Sequence, residues 1–190
     1  MSSQSWRFGA TISNNVVAFP VTGVPKTLYS QIHPGLDLFF ERPLNTRKKS
    51  QCWININTGV YYHQYFQTGI RLYGGLDYRY FFKPRTSIQL GFLAGYLHSI
   101  TDYDRFELNK NGEYEKIPNY QGHPQFLTGI HLGMSYGLLK NKPDKIRLVF
   151  SVKCFLQGPF ASSYIPILPT NALMLGFSMP LCKSNKTAKP

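Results

Sequence analysis

Hydrophobic side chains alternate with polar or small ones along most of this chain. Between Ile70 and Phe82, every second residue is apolar, aromatic or glycine, and the intervening positions include Arg71, Asp77 and Arg79. Successive side chains of a β-strand point to opposite faces, whereas a helix repeats every 3.6 residues, so only a strand separates these two sets. Similar runs predict eight strands, at about 5–18, 31–42, 51–63, 68–82, 87–102, 125–139, 146–157 and 171–181.

The predicted strands are long, and their connections alternate in length. Soluble strands have roughly 5 to 6 residues, whereas a tilted strand needs roughly 9 to 11 residues to cross a bilayer. The short polar connections are 43–50, 83–86 and 140–145, and the long ones are 19–30, 103–124 and 158–170. Even strand number, short turns at one end and longer loops at the other are typical of bacterial outer-membrane barrels. The sequence therefore predicts an all-β fold, an eight-stranded antiparallel up-and-down transmembrane β-barrel.

The two faces of the predicted strands differ in a way that favours the apolar face outside. The opposite face is rich in glycine and carries charges of both signs, which suits the side-chain-filled interior of a small barrel. Because a buried charge needs a partner, we expect an interior ion-pair lattice. Its predicted members are Arg7, Asp37, Glu41, Arg71, Asp77, Arg79, Arg147 and Lys153. The alternative, a soluble ligand-binding β-barrel, would place the apolar face inside.

Aromatic residues gather where the predicted strands end, as in the girdles at bilayer interfaces. The predicted girdle residues are Trp6, Tyr61, Tyr62, Tyr65, Phe66, Tyr78, Tyr80, Phe81 and Phe82. The whole chain has 190 residues, of which 43% are apolar, 15% aromatic and 16% charged. This length predicts one barrel domain over 1–182, followed by a basic, disordered tail over 183–190. Residues 1–4 lack the features of a signal peptide, so an outer-membrane location implies a mature form.

The net charge of +12 raises the possibility of nucleic-acid binding, but the positions of the basic residues oppose it. More than half of them lie in short connections or in the tail: Arg47, Lys48, Lys49, Lys83, Arg85, Lys140, Lys142, Lys145, Lys183, Lys186 and Lys189. No nucleic-acid-binding motif accompanies them. We therefore expect no nucleic-acid partner. The expected partners are the lipid bilayer with its lipopolysaccharide and, for an accessory subunit, a larger outer-membrane protein complex.

Several segments resemble small outer-membrane barrels of Bacteroidota, with an OmpA/OmpX-like eight-stranded fold. They are Gly95-Tyr96-Leu97-His98, Asn111-Gly112-Glu113-Tyr114, Gln157-Gly158-Pro159-Phe160 and residues 163–169 with the closing Leu175-Gly176-Phe177 strand. The resemblance covers roughly residues 88–181 and implies the fold and an outer-membrane location, but no activity. The chain departs from the usual aromatic C-terminus, because Ser-Met-Pro-Leu and a basic tail follow Phe177.

Some barrels of this size modify lipid A, and His98, Ser99 and Asp102 are the weak candidates for such an activity. A serine nucleophile needs a histidine within hydrogen-bond reach and a carboxylate to orient that histidine. Adjacent strand residues point to opposite faces, so His98 and Ser99 should not meet. His131 and Ser135 share a face but lie roughly 13 Å apart along a strand. We expect no enzymatic activity, with a deacylase-type enzyme as the alternative.

Cofactor and metal motifs are absent from the sequence. Cys52, Cys154 and Cys182 form neither a disulfide framework nor a metal motif. His33, His63 and His123 lie near predicted loop bases, but nothing in their spacing makes them a metal site, and we expect no cofactor.

Two long loops could carry function. Loop 103–124 should form a hairpin with a type I′ turn at Asn111-Gly112. Loop 158–170 is apolar, and its candidate contact residues are Phe160, Tyr164, Ile165, Ile167 and Leu168. The expected function is a structural, adhesive or accessory-subunit role in an envelope assembly, without the channel of a general porin.

Overall fold

A computed structural model describes residues 5–45, 47, 49–64, 66–101, 105–109, 111–117, 122–159 and 166–181. Its elements are β1 (Arg7–Val17), α1 (Pro20–Tyr29), β2 (Pro34–Pro43), β3 (Ser50–His63), β4 (Gln67–Lys83), β5 (Thr86–Thr101), β6 (Arg105–Leu108), β7 (Tyr114–Ile117), β8 (His123–Gly137), β9 (Arg147–Gly158) and β10 (Leu168–Pro180). Each of the eight predicted strands overlaps one long strand. The predicted tail lies outside the described residues.

Eight of these strands form a closed antiparallel barrel in the order β1-β10-β9-β8-β5-β4-β3-β2. The first and last strands close it, with Arg7 opposite Pro180 and Val17 opposite Thr170. Closure gives every wall strand a partner on both sides, as a sheet in lipid requires. We call the end with connections 44–49, 84–85 and 138–146 the turn end, and the opposite end the loop end. The predicted eight-stranded up-and-down topology is confirmed.

The segment predicted as loop 19–30 contains the helix α1. No pattern in the sequence indicated this helix, because proline and glycine interrupt any helical periodicity. Pro20 occupies the first turn, where the absence of an N–H costs nothing. Tertiary contacts then hold the helix, since Asn14 Nδ2 donates to the carbonyl of Thr27 at 2.8 Å. No helix in the described part of the chain is long and apolar enough to cross a membrane.

Strands β6 and β7 form the predicted hairpin within loop 103–124, but with a different turn. The amide of Gly112 donates to the carbonyl of Asn109 at 3.0 Å, and the amide of Asn109 donates to the carbonyl of Glu113 at 2.8 Å. Gly112 therefore follows the turn, with a φ of 79°, instead of occupying the centre of a type I′ turn. The Asn109 side chain selects this arrangement, because its Oδ1 accepts hydrogen bonds from the amides of Asn111 and Glu113.

The barrel exterior is apolar throughout, which confirms the predicted orientation of the two faces. Leu76 is 59% exposed and Ile12 is 64% exposed, whereas Asp77 is buried. Other exposed apolar wall residues are Leu36, Leu38, Phe40, Ile54, Ile56, Val60, Ile70, Leu72, Leu90, Phe92, Ile130, Leu132, Met134, Phe150, Leu156, Leu175 and Phe177. A continuous apolar surface of this extent is unstable in water. It is the surface of a barrel in lipid and excludes the soluble ligand-binding barrel.

Part of the predicted aromatic girdle lies on this exterior. Trp6, Tyr62, Tyr78 and Phe82 are exposed near strand ends. Tyr61 does not belong to the girdle, because its position places it on the inner face, where it is buried. Tyr65 lies outside the described residues.

Replacing Leu76 with arginine should destabilise the barrel by about 2–4 kcal/mol, because the substitution places a cation near the middle of the lipid-facing band. The control is Phe82→Arg at the end of the same strand, where the cost should fall to about 0–1 kcal/mol. Urea unfolding in phospholipid vesicles, followed by tryptophan fluorescence, measures both. Equal costs at the two positions would contradict this placement of the bilayer.

Candidate functional site

The barrel interior holds the eight residues predicted for the ion-pair lattice, and all eight are buried. Alternation within each wall strand points them inward. Five of them are cationic and three are carboxylates, an excess of two positive charges. The cations are Arg7, Arg71, Arg79, Arg147 and Lys153, and the carboxylates are Asp37, Glu41 and Asp77. We call this set, together with its hydrogen-bond partners, the interior network.

The tightest ion pair of the interior network joins Arg71 on β4 to Asp37 on β2. Arg71 donates from Nε to Asp37 Oδ1 at 2.9 Å and from Nη2 to Oδ2 at 2.6 Å, which is a two-pronged contact. Tyr73 adds a third hydrogen bond, from its hydroxyl to Asp37 Oδ1 at 3.1 Å. Gly59 leaves room for the carboxylate, since a Cβ there would lie 2.3 Å from Asp37 Oδ1.

Lys153 joins this ion pair to neighbouring amides without contacting a carboxylate directly. Its Nζ donates to the Tyr73 hydroxyl at 2.8 Å and to Asn57 Oδ1 at 3.2 Å. Asn57 Nδ2 donates to Asn55 Oδ1 at 2.6 Å, and Asn55 Nδ2 donates to Asp77 Oδ2 at 2.8 Å. A continuous row of hydrogen bonds therefore crosses the interior from one carboxylate to another.

Asp77 ends this row at His131, a partner that the sequence analysis did not identify. Nδ1 of His131 lies 3.1 Å from Asp77 Oδ1, and its Nε2 lies 3.2 Å from Nε2 of Gln89. Alternation along its strand already placed His131 on the inner face. Its contact with Asp77 depends on how β4 and β8 are aligned through β5, which lies between them. Gly91 makes the space, because a Cβ there would lie 1.9 Å from Asp77 Oδ1.

Near the turn end, Glu41 is shared between two arginines. Arg79 Nη2 lies 2.8 Å from Glu41 Oε2, and Arg7 Nε lies 3.4 Å from Oε1. Arg147 instead pairs with Asp144 in the β8–β9 connection at 2.8 Å, and the Asp144 side chain is 72% exposed. The interior network thus extends to the mouth of the barrel at this end.

Towards the loop end, aromatic and aliphatic side chains fill the interior. This apolar cluster consists of Tyr61, Tyr73, Leu93, Leu97, Leu127, Phe155, Ala172 and Met174. Tyr61 covers Arg71, with the guanidinium carbon 5.2 Å from the centre of its ring. The hydroxyl of Tyr61 also accepts a hydrogen bond from Gln67 Nε2. The buried Tyr61 side chain is therefore part of the interior and not of the aromatic girdle.

Little free space remains inside the barrel. A cavity of about 30 Å³ lies among Glu41, Asn55, Arg79, His131 and Lys153. A volume of this size accommodates on the order of two water molecules. It is too small for a solute or for a lipid acyl chain. Among the described residues, the arrangement can hold charge, and this cavity is too small to give passage to a solute.

His98 and Ser99, two of the three candidates for a lipid-modifying reaction, do not come together. Ser99 is fully buried and donates from Oγ to Gln67 Oε1 at 2.5 Å. His98 faces the exterior, where Nδ1 lies 2.9 Å from the Tyr96 hydroxyl. Asp102 lies outside the described residues.

Two of the three histidines near the predicted loop bases, His33 and His63, stack on each other. The rings of His33 and His63 stack with their centres 3.6 Å apart and their planes within 8°. Among the described residues, no three His, Cys, Asp or Glu side chains are grouped so as to hold a metal ion.

The predicted contact loop is described only at its end. Ile167 is 48% exposed, whereas Leu168 begins β10 and is buried. Phe160, Tyr164 and Ile165 lie outside the described residues.

The barrel has the architecture of the small outer-membrane β-barrels, and comparison with solved structures agrees. No protein-family model matches the chain, and no curated protein matches its sequence. Neisserial surface protein A (NspA) aligns with a TM-score of 0.53 and 10% identity, covering 92% of this chain and 96% of NspA. The outer membrane enzyme PagL aligns with a TM-score of 0.52 and 8% identity, covering 92% of this chain and 99% of PagL. The likeness at this identity is one of fold.

Asp37→Asn should destabilise the barrel by about 3–5 kcal/mol, because it leaves the buried Arg71 without its counter-charge. The comparison variant is Asp144→Asn, which removes the partner of Arg147 at the mouth of the barrel. Because the Asp144 side chain is 72% exposed, solvent already screens its charge, and its loss should cost less than the loss of the Asp37 charge. Urea unfolding in detergent micelles compares the two variants with the parent chain. A small loss for Asp37→Asn would show that Tyr73 and the neighbouring amides compensate for the missing charge.

Proposed function

We propose that this chain is a sealed outer-membrane barrel that acts as a rigid, non-catalytic anchor and presents its loop end for adhesion or envelope assembly. The apolar exterior supports the membrane location. The interior network supports a closed barrel, because nearly all the enclosed space is filled by side chains that contact one another. The accessory-subunit role and the Bacteroidota type remain predictions from the sequence. Lipopolysaccharide is the expected lipid partner at the loop end.

The observation that carries the proposal is the small size of the interior cavity, about 30 Å³. A general porin needs a continuous aqueous channel, which barrels of sixteen or more strands provide and an eight-stranded barrel does not. Opening a path here would mean separating Arg71 from Asp37 and displacing the apolar cluster above them. Solute passage is therefore opposed by both ion pairing and packing.

The enzymatic alternative finds little support in the positions of its candidate residues. NspA is a surface protein and PagL is an outer membrane enzyme, so the shared fold is compatible with either role. In this chain Ser99 and His98 point to opposite sides of the wall, and each has another hydrogen-bond partner. Nucleophilic catalysis requires the two groups to be within hydrogen-bond reach. These positions support the non-catalytic proposal.

The loop end offers the most varied surface. It carries α1, the hairpin β6–β7 and the start of β10, whereas the turn end has three short connections. Residues that bind partners commonly lie on loops that a rigid scaffold positions. Tyr114 in the hairpin is 76% exposed, and an exposed aromatic ring suits contact with a partner. Adhesion or subunit contact is therefore assigned to this end.

The purified protein should produce no ion-conducting steps when inserted into a planar lipid bilayer. Insertion is checked independently by heat-modifiable migration on a gel, so that a failure to insert is not mistaken for the absence of conductance. Stable conductance steps in 1 M KCl from the correctly folded protein would refute the sealed barrel.

Expression in a Gram-negative host should leave the acyl chains and phosphate groups of lipid A unchanged, as measured by mass spectrometry. His98→Ala and Ser99→Ala serve as matched variants, and both should give the same lipid A profile as the parent chain. Loss of an acyl chain in the parent and its restoration in either variant would favour the enzyme. It would also mean that the wall near Ser99 rearranges when substrate binds.

A further inference from the structure

Helix α1 packs against the outside of the barrel wall near the loop end. Val16 on β1 and Asn171 on β10 are paired. Each lies four residues from an outward-facing residue of its own strand, Ile12 or Leu175, so both side chains also point outward. Ile12 and Leu175 are exposed, yet Val16 and Asn171 are only 6% and 1% exposed. The helix and the segment that leads into it cover these two residues. Asn171 Nδ2 donates a hydrogen bond to the carbonyl of Ala18, between β1 and α1, at 2.7 Å.

The face of α1 that meets the barrel is made of small and polar groups. Gly23 and Thr27 are both buried and lie one turn apart. A Cβ at Gly23 would lie 2.0 Å from Nδ2 of Asn171, so glycine permits the close approach. Small residues four apart serve the same purpose where helices pack within membranes.

The side of α1 directed away from the barrel is strongly apolar. Leu28 is 75% exposed and Tyr29 is 74% exposed, and the flanking Phe19 and Ile32 are each 74% exposed. A surface helix of a soluble protein turns its apolar side towards the protein and its polar side towards water. The reversed arrangement here matches that of the barrel wall.

We propose that α1 is an interfacial helix that lies in the lipid leaflet at the loop end and binds the lipid surface through Leu28, Tyr29, Phe19 and Ile32. Their apolar surface extends the lipid-facing band of the barrel, since α1 lies beside β1 and its exposed Ile12. Aromatic and aliphatic side chains on one side of a helix, with a cation on another, are the composition of helices that rest at the headgroup–acyl boundary. This inference rests on the membrane location in the proposed function.

Lys26 gives the helix its orientation in the leaflet. It is exposed, and two positions separate it from Leu28, about 200° around the helix axis. The two side chains therefore point to opposite flanks. With Leu28 towards the acyl chains, the Lys26 ammonium reaches the phosphate level, where a long cationic side chain is best accommodated.

Spin labels test the placement. In a background with Cys52, Cys154 and Cys182 replaced by serine, single cysteines are introduced as Leu28→Cys, Lys26→Cys, Ile12→Cys and Asn111→Cys. Each labelled protein is refolded into vesicles of phosphatidylcholine and phosphatidylglycerol. Collision rates with oxygen, which concentrates in lipid, and with a neutral nickel chelate, which concentrates in water, are measured by electron paramagnetic resonance. The oxygen-to-nickel ratio should be severalfold higher at Leu28 than at Lys26, and the Leu28 value should approach that of Ile12.

The remaining labels separate the possible failures. Asn111 lies in the turn of the β6–β7 hairpin and provides the water-exposed reference. A ratio at Leu28 equal to that at Asn111, with Ile12 still in lipid, would overturn the interfacial helix and indicate a surface for a protein partner. A water-like ratio at Ile12 as well would overturn the membrane location itself. Equal, lipid-like ratios at Leu28 and Lys26 would overturn the orientation that we assign to the helix.

Discussion

The rest of the barrel depends on the bidentate ion pair between Arg71 and Asp37. Eight strands enclose too little space for bulk water, and lipid surrounds the wall, so an interior charge must be neutralised by the chain itself. Asp37 accepts two hydrogen bonds from Arg71 and a third from Tyr73. Every strand around the barrel must keep its register for such contacts to form. The polar interior therefore specifies one alignment of the wall, whereas the apolar exterior tolerates many.

The same constraint explains why the interior is closed. Buried charged and polar groups need hydrogen-bond partners, and hydrogen bonds continue from Tyr73 through Lys153, Asn57 and Asn55 to Asp77. Each group in this row restrains its neighbours, and the cavity beside them measures only about 30 Å³. A barrel whose interior side chains are linked in this way has little room for transported solutes. Under the proposed function, structural rigidity and a sealed interior are thus two results of one arrangement.

Local patterns in the sequence predict the wall but not the contacts between distant strands. Alternation around Ile70 and Asp77 separated the two faces, and the glycines and the charges of both signs on one of them placed the apolar face outside. The partner of Asp77 could not be predicted, since it depends on how β4 aligns with β8 through β5. Tyr61 was misplaced because its position near a strand end suited a girdle equally well. Tyr61 is an even number of residues from Gly59 and Trp53 on β3, and only this spacing shows that it lies on the inner face.

Helix α1 was missed for a related reason, and the reason bears on how it functions. Its sequence contains Gly23 and Pro25 in the helix interior, which weaken any helix in water. A helix of 10 residues is also too short to be stable alone. Its stability must come from contact with the wall through Gly23 and, on the proposed placement, from burial of Leu28 and Tyr29 in lipid. In the helix and in the barrel wall alike, polar groups then face the protein and apolar groups face the bilayer. Rules for helices that are stable in water take Gly23 and Pro25 as breaks, so they assign such a segment to a loop.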